Sequence, residues 1–201
     1  MIRFVVYCLF AVFAVFSASA DRLLVQNDEK TAISVINSRA SKIKSINTKF
    51  KQVKSLSLLK DEIMAEGVLK YFAPSKLHWE YTSPYKYTFE MDGDKVTITT
   101  SKGKNTMDAS TSKIFKGVAD IIMQTVTGKC LGPGSRFNSK IYATTDGYRV
   151  LLTPKSKQMM AMFKNVTLYI PGKTDNILPV SKIIITEKNN DTTTITFNLQ
   201  K

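Results

Sequence analysis

The sequence predicts a mainly β fold with helices: one long, strongly curved antiparallel sheet of about eleven strands, with two helices available to cover its concave face. Three observations carry this expectation. Apolar and polar residues alternate over most of the chain, short turns such as Asp92-Gly93 and Asp146-Gly147 separate the alternating runs, and two segments show helical periodicity.

The chain opens with Met1–Ala20, in which Arg3 precedes an apolar run from Phe4 to Phe16 and small residues lead to Ala18-Ser19-Ala20. That order is the form of a secretory signal cleaved after Ala20. The run is shorter than the roughly 20 residues that a bilayer-spanning helix needs, which disfavours a retained anchor. Cys8 lies inside the run with no signal on its N-terminal side, which disfavours a lipidated N-terminus. Cleavage leaves Cys130 as the one cysteine, so no internal disulfide is expected and residues 21–201 must rely on their own core. No repeat, low-complexity tract or linker divides them, and a single domain is expected.

The first helix is expected over about Asp28–Ser45. Asn27 or Asp28 can cap it, Asp28 and Glu29 suit its positive end, and Ile33, Ile36, Ala40 and Ile43 recur at helical spacing. The period then changes to two. Strands are expected over Ile46–Leu56, Glu62–Phe72, around Leu77, Trp79 and Tyr81, around Tyr87, Phe89 and Met91, around Val96 and Ile98, and over Asn105–Ala109. Ser110–Thr127 interrupts them with a second helical stripe (Ile114, Phe115, Val118, Ala119, Ile122, Met123, Val126), followed by the glycine-rich loop Gly128–Ser135. Phe137–Thr144, Tyr148–Thr153, Met159–Ile170, Val180–Lys188 and Thr192–Leu199 complete the meander. The side chains expected to face inward include Leu69, Tyr71, Leu77, Trp79, Tyr81, Phe89, Met91, Ile98, Val150, Leu152, Met160, Met162, Val166 and Leu168. Packed tightly by the helices they are core; beneath a movable lid they are a cavity for an apolar ligand.

Composition narrows function. The whole chain has a net charge of +13, and loss of Arg3 with the signal leaves 28 basic against 16 acidic residues. The lysines are scattered, often on alternate positions, as on a solvated face. Nucleic acid is not expected as a partner of an exported chain with no dense basic run, whereas an anionic membrane surface or an acidic protein remains open. Chemistry has little to work with. His78 is the one histidine, expected on the solvent face opposite Trp79, and the chain contains no HExxH, CxxC, GxSxG or phosphate loop. Asp61-Glu62 and Asp92/Asp94 occupy expected turns and strand ends. The reading is of a binding protein without a cofactor or metal; an exported hydrolase using a less legible arrangement is the competing class.

One run of residues narrows it further. Phe50 and Gln52, Gly67 and Leu69, Pro74, Trp79 and Tyr81, Pro84, and Asp92-Gly93 follow one another at fixed intervals, with a looser match through Leu152-Thr153-Pro154 and Thr194–Phe197. This pattern resembles the LolA family, the periplasmic carriers of outer-membrane lipoproteins. The resemblance implies an unclosed antiparallel β-barrel of about eleven strands with an α-helical lid. It also implies a monomeric chaperone that takes acylated lipoproteins from an inner-membrane lipoprotein-releasing transporter, shields their acyl chains and passes them to an outer-membrane acceptor. By that implication the cavity lining is Leu69, Tyr71, Trp79, Tyr81, Phe89, Met91 and Ile98 on the sheet, with Phe115, Ile122 and Met123 from the internal helix. A regulatory or sensor domain of the same fold is the alternative. The family's best-known carriers place an arginine just before the first proline, where it holds the lid shut; this chain has Ala73 there. Closure is therefore expected to rest on apolar contact or on a polar group supplied elsewhere.

Overall fold

The structure is a computed structural model, described here for residues 21–58, 62–108, 123–124, 130–172 and 180–198. The signal-like segment and most of the expected internal helix, including Phe115 and Ile122, lie outside the described residues.

Twelve strands form one antiparallel sheet. They are β1 (Arg22–Leu23), β2 (Ser45–Ser55), β3 (Glu62–Phe72), β4 (Lys76–Ser83), β5 (Tyr87–Asp92), β6 (Lys95–Thr100), β7 (Gly103–Asp108), β8 (Phe137–Thr144), β9 (Gly147–Pro154), β10 (Phe163–Pro171), β11 (Lys182–Glu187) and β12 (Thr192–Phe197). Their order is β1-β8-β9-β10-β11-β12-β2-β3-β4-β5-β6-β7, so β1 and β7 are the two edges and the barrel is unclosed. The long pair β2–β3 at its middle is in continuous register from Ser45↔Phe72 to Ser55↔Glu62. A chain this rich in one-sided strands curls because each strand twists, and its apolar face becomes the concave one.

The strand β1 was not expected: two residues carry no periodicity. It pairs Arg22 with Ala143 and Leu23 with Tyr142, and Leu24 N–H extends the contact by donating to Ile141 O. The edge strand β7 is short and polar (GKNTMD), the form that discourages further pairing.

The helix α1 spans Gln26–Ser41, starting two residues and ending four residues earlier than expected, and Val25 stands at its N-cap without a side-chain bond. Asp28 and Glu29 act as first-turn charges rather than caps. Ala32, Ile36 and Ala40 are buried, with Ile33 and Ile43 half-buried beside them, so the expected stripe is the one that covers the sheet.

The expected strand Met159–Ile170 needs correction. Its first residues form a short helix α2 (Lys157–Met162), capped by Ser156 Oγ, which accepts from Met159 N–H. Met159 is buried, but Met160 and Met162 are exposed instead of facing inward. Alternation buries Met160 and Met162 whereas the helical turn buries Met159, and the Ser156 cap decides for the helix. Met123 and Gln124, from the expected internal helix, have helical backbone, and Met123 packs on the core. Among the described residues, no helix is long and apolar enough to cross a membrane.

Candidate functional site

Cross-strand register sorts the concave face into rows. One row runs Ile46, Tyr71, Leu77, Met91, Val96 across β2 to β6. The next runs Thr48, Leu69, Trp79, Phe89, Ile98. A third runs Phe197, Phe50, Gly67, Tyr81, Tyr87. The seven sheet residues expected to line a cavity therefore occupy three adjacent rows. Leu69, Tyr71, Trp79, Phe89 and Met91 are buried, while Tyr81 and Ile98 are half-buried against the same cluster. Burying each such side chain contributes roughly 1.5–3 kcal/mol.

The third row explains why Phe50, Gln52, Gly67, Trp79 and Tyr81 belong together. Phe50 meets Trp79 with ring centroids 4.3 Å apart and Tyr81 edge-on at 5.4 Å. Trp79 also meets Phe197 edge-on at 6.3 Å, and Tyr81 lies 6.0 Å from Tyr87. Gly67 leaves room for this cluster: a Cβ there would fall 2.4 Å from Phe50 Cζ and 2.1 Å from Glu80 O. The Tyr81 hydroxyl donates to Gln52 Oε1 at 2.8 Å, so the polar end of this ring has a partner. Burial pushes the Tyr81 pKa up and keeps the phenol protonated, with hydrogen bonding to Trp79 acting in the opposite direction. Thr48, the buried polar residue of the second row, donates to Asn198 O at 2.8 Å. Phe197 and Tyr87 were missed as part of the cluster because neither stands within the spacing that links Phe50 to Tyr81; pairing brings them in.

The lid question has a specific answer. Ala73, where the family resemblance expects a latch arginine, is exposed, and its backbone N–H donates to Lys44 O at 2.8 Å. Polar attachment comes from α1 itself. Arg39 Nη1 donates to Pro171 O at 2.9 Å and Nη2 to Gly172 O at 2.6 Å, a fork on two consecutive carbonyls at the end of β10. Two residues earlier in the helix, Asn37 Nδ2 donates to Leu131 O at 3.2 Å. Helix α1 is thus pinned to the sheet by its apolar stripe and to two loops by Arg39 and Asn37.

His78 lies on the convex face, half-buried, with Nδ1 3.1 Å from Glu90 Oε1 and Nε2 3.1 Å from Glu80 Oε2. Cys130 is buried and free, and burial pushes its thiol up to about 12. Among the described residues, no group of three or more His, Cys, Asp or Glu is placed to hold a metal ion.

The sequence model of the family described as "Outer membrane lipoprotein carrier protein LolA" matches residues 41–201. The chain belongs to the LolA family. Members of this family are binding and carrier proteins of extracytoplasmic compartments. Among solved structures, an outer membrane lipoprotein-sorting protein domain from Vibrio parahaemolyticus is similar in fold, with a TM-score of 0.51 at 10% identity over 86% of this chain and 93% of that one. A LolA superfamily protein from Nitrosomonas europaea has a TM-score of 0.44 at 12% identity, covering 84% and 94% of the two chains. The lipoprotein LppX of Mycobacterium tuberculosis has 0.46 at 10% identity, covering 87% and 95%. No curated protein matches the chain in sequence.

Proposed function

We propose that this protein is a periplasmic chaperone that shields the acyl chains of lipoproteins and carries them from the inner to the outer membrane. In this reading Met1–Ala20 is a signal removed after Ala20. The mature chain acts as a monomer and without a cofactor, meeting an inner-membrane lipoprotein-releasing transporter and an outer-membrane acceptor. The observation that carries the reading is the three-row apolar face, clustered with Ala32 and Ile36 of α1, in a chain that belongs to the LolA family.

The physics of cargo favours such a face. Each acyl methylene taken out of water is worth about 0.8 kcal/mol, so a lipoprotein cannot cross an aqueous space unshielded. The cargo chains would lie against Leu69, Tyr71, Trp79, Tyr81, Phe89, Met91 and Ile98, with Phe115, Ile122 and Met123 on the lid side. Because those sheet residues are buried or half-buried in one cluster with Ala32 and Ile36 of α1, loading would require that cluster to open, and release would follow when it closes again. The protein from Asp21 onward should hold a triacylated lipoprotein in a soluble 1:1 complex and bind a fluorescent acyl probe. If no lipoprotein stays in solution with it, the carrier reading fails.

The tight packing of that same face favours a second reading, a sensor or regulatory domain that binds lipid or an exported protein without ferrying it. Depletion separates the two. Loss of a carrier strands lipoproteins in the inner membrane, and loss of a sensor leaves their sorting intact.

A further inference from the structure

The antiparallel register puts one set of turns at each end of the sheet. At the first end lie the β2–β3 connection, the β4–β5 loop, the β6–β7 turn, α2 between β9 and β10, and the β11–β12 turn. In sheet order these follow one another along a single curved rim.

Two kinds of side chain gather there. Leu58 is 95% exposed at the β2–β3 connection, Tyr85 61% at the β4–β5 loop, and Met160 43% on α2, with Met162, Ile63 and Met64 also exposed. Among the described residues, the other exposed large apolar side chains are Phe72 at the opposite end and Leu23 and Val25 at the β1 edge. Between the rim residues stand the exposed lysines Lys86, Lys102, Lys155, Lys157, Lys164 and Lys188. Three carboxylates of this rim are already engaged, and Glu66 stands exposed beside Ser83. Glu187 pairs with Lys54 at 2.9 Å, Asp191 accepts from Ser57 N–H at 2.7 Å, and Glu62 accepts from Ser55 at 2.9 Å. The connections of the opposite end carry Asp92, Asp94, Asp108 and Asp146 beside Lys42, Lys44, Lys76 and Lys95, with Lys76 and Asp92 paired at 3.2 Å. The rim thus carries six exposed lysines and six exposed apolar side chains, whereas at the opposite end four exposed lysines stand among four aspartates with Phe72 as the exposed apolar group among the described residues.

We propose that this rim docks on the surface of an anionic lipid bilayer, with Leu58, Tyr85, Met160 and Met162 entering the headgroup region and the lysines meeting anionic headgroups. The form of the patch selects the bilayer over a protein partner. A protein interface of useful affinity needs a contiguous buried centre. Here single apolar side chains project from successive turns, each beside a lysine, as in interfacial membrane contacts. Docking at this end would bring the cup against the membrane by its rim, whatever occupies the concave face.

The test is vesicle flotation of the protein from Asp21 onward; all twelve strands and both helices lie after that point. Vesicles of phosphatidylethanolamine with about one-third phosphatidylglycerol are compared with pure phosphatidylcholine, at about 0.05 and about 0.5 M salt. Partition is expected on the anionic vesicles alone and is expected to fall at high salt. The Lys157→Gln/Lys188→Gln pair should weaken it about fivefold per lysine, and Met160→Ser/Met162→Ser about tenfold. These are surface changes, so unaltered circular dichroism and acyl-probe binding report an intact fold. Equal binding to neutral vesicles, no binding to either, or variants that float like the parent would each overturn the proposal; an acidic protein as the true partner would produce the second. Acyl-probe binding is read on the same samples, so failure of the carrier reading shows as lost probe binding with flotation intact.

Discussion

Phe50 lies opposite Gly67 across β2 and β3, and its ring fills the space that a side chain on Gly67 would need. The two residues are one feature: the glycine is required because the phenylalanine must lean over it to reach Trp79 and Tyr81. Gly67→Ala should therefore cost about 3 kcal/mol, since the added Cβ meets the Glu80 carbonyl as well as a ring hemmed in by other rings. Gly93→Ala, at φ 59° with nothing near a new Cβ, should cost only about 1 kcal/mol. Denaturant unfolding of the two variants checks the contrast, and similar losses would refute the packing account.

Arg39 fastens α1 to the end of β10 by two hydrogen bonds to consecutive carbonyls. Arg39→Ala should lower stability by about 2 kcal/mol and raise amide exchange across α1 before the strands respond. Arg39→Lys should recover less than half, because an ammonium cannot reproduce the planar fork. Exchange that rises equally in α1 and in β2–β3 would show that the helix has no independent fastening.

Asp191 organises the β11–β12 turn, where it accepts from Ser57 N–H at 2.7 Å and from Asn189 Nδ2 at 2.7 Å. The hydrogen bond from Ser57 is the main cause that holds its carboxyl below the usual carboxylate range. A carboxylate lowered on folding contributes stability that is complete above its unfolded value, about 4, and lost as pH falls through the folded one. Asp191→Asn should flatten that acid limb of the stability–pH curve. An unchanged limb would assign the acid sensitivity to other carboxylates.

Cys130 is fully enclosed, its carbonyl accepting from Ser135 Oγ at 2.7 Å. With the thiol pushed up to about 12 by burial, almost no thiolate exists at neutral pH. A thiol reagent should modify it only on unfolding, so the labelling rate should follow denaturant concentration. Rapid labelling of the native protein would place Cys130 in a site open to solvent.

Much was determined by sequence alone. Period-two alternation located nearly every long strand, because a half-buried strand must alternate. The run from Phe50 to Gly93 carried the family, and within it Phe50, Gln52, Gly67, Trp79 and Tyr81 form one contact cluster. The inward set from Leu69 to Ile98 was legible for the same reason: in a strand the face follows from parity. Three matters needed the tertiary structure. The pairing of β1 depends on β8, and two residues hold no period of their own. Met160 and Met162 turn outward because Ser156 caps a helix where alternation suggested a strand. The fastening of α1 passed from the position of Ala73 to Arg39, since its acceptors Pro171 and Gly172 are backbone carbonyls more than a hundred residues away. Local spacing records which face a residue takes. It does not record which distant carbonyl a guanidinium will find, and that choice was made by the fold.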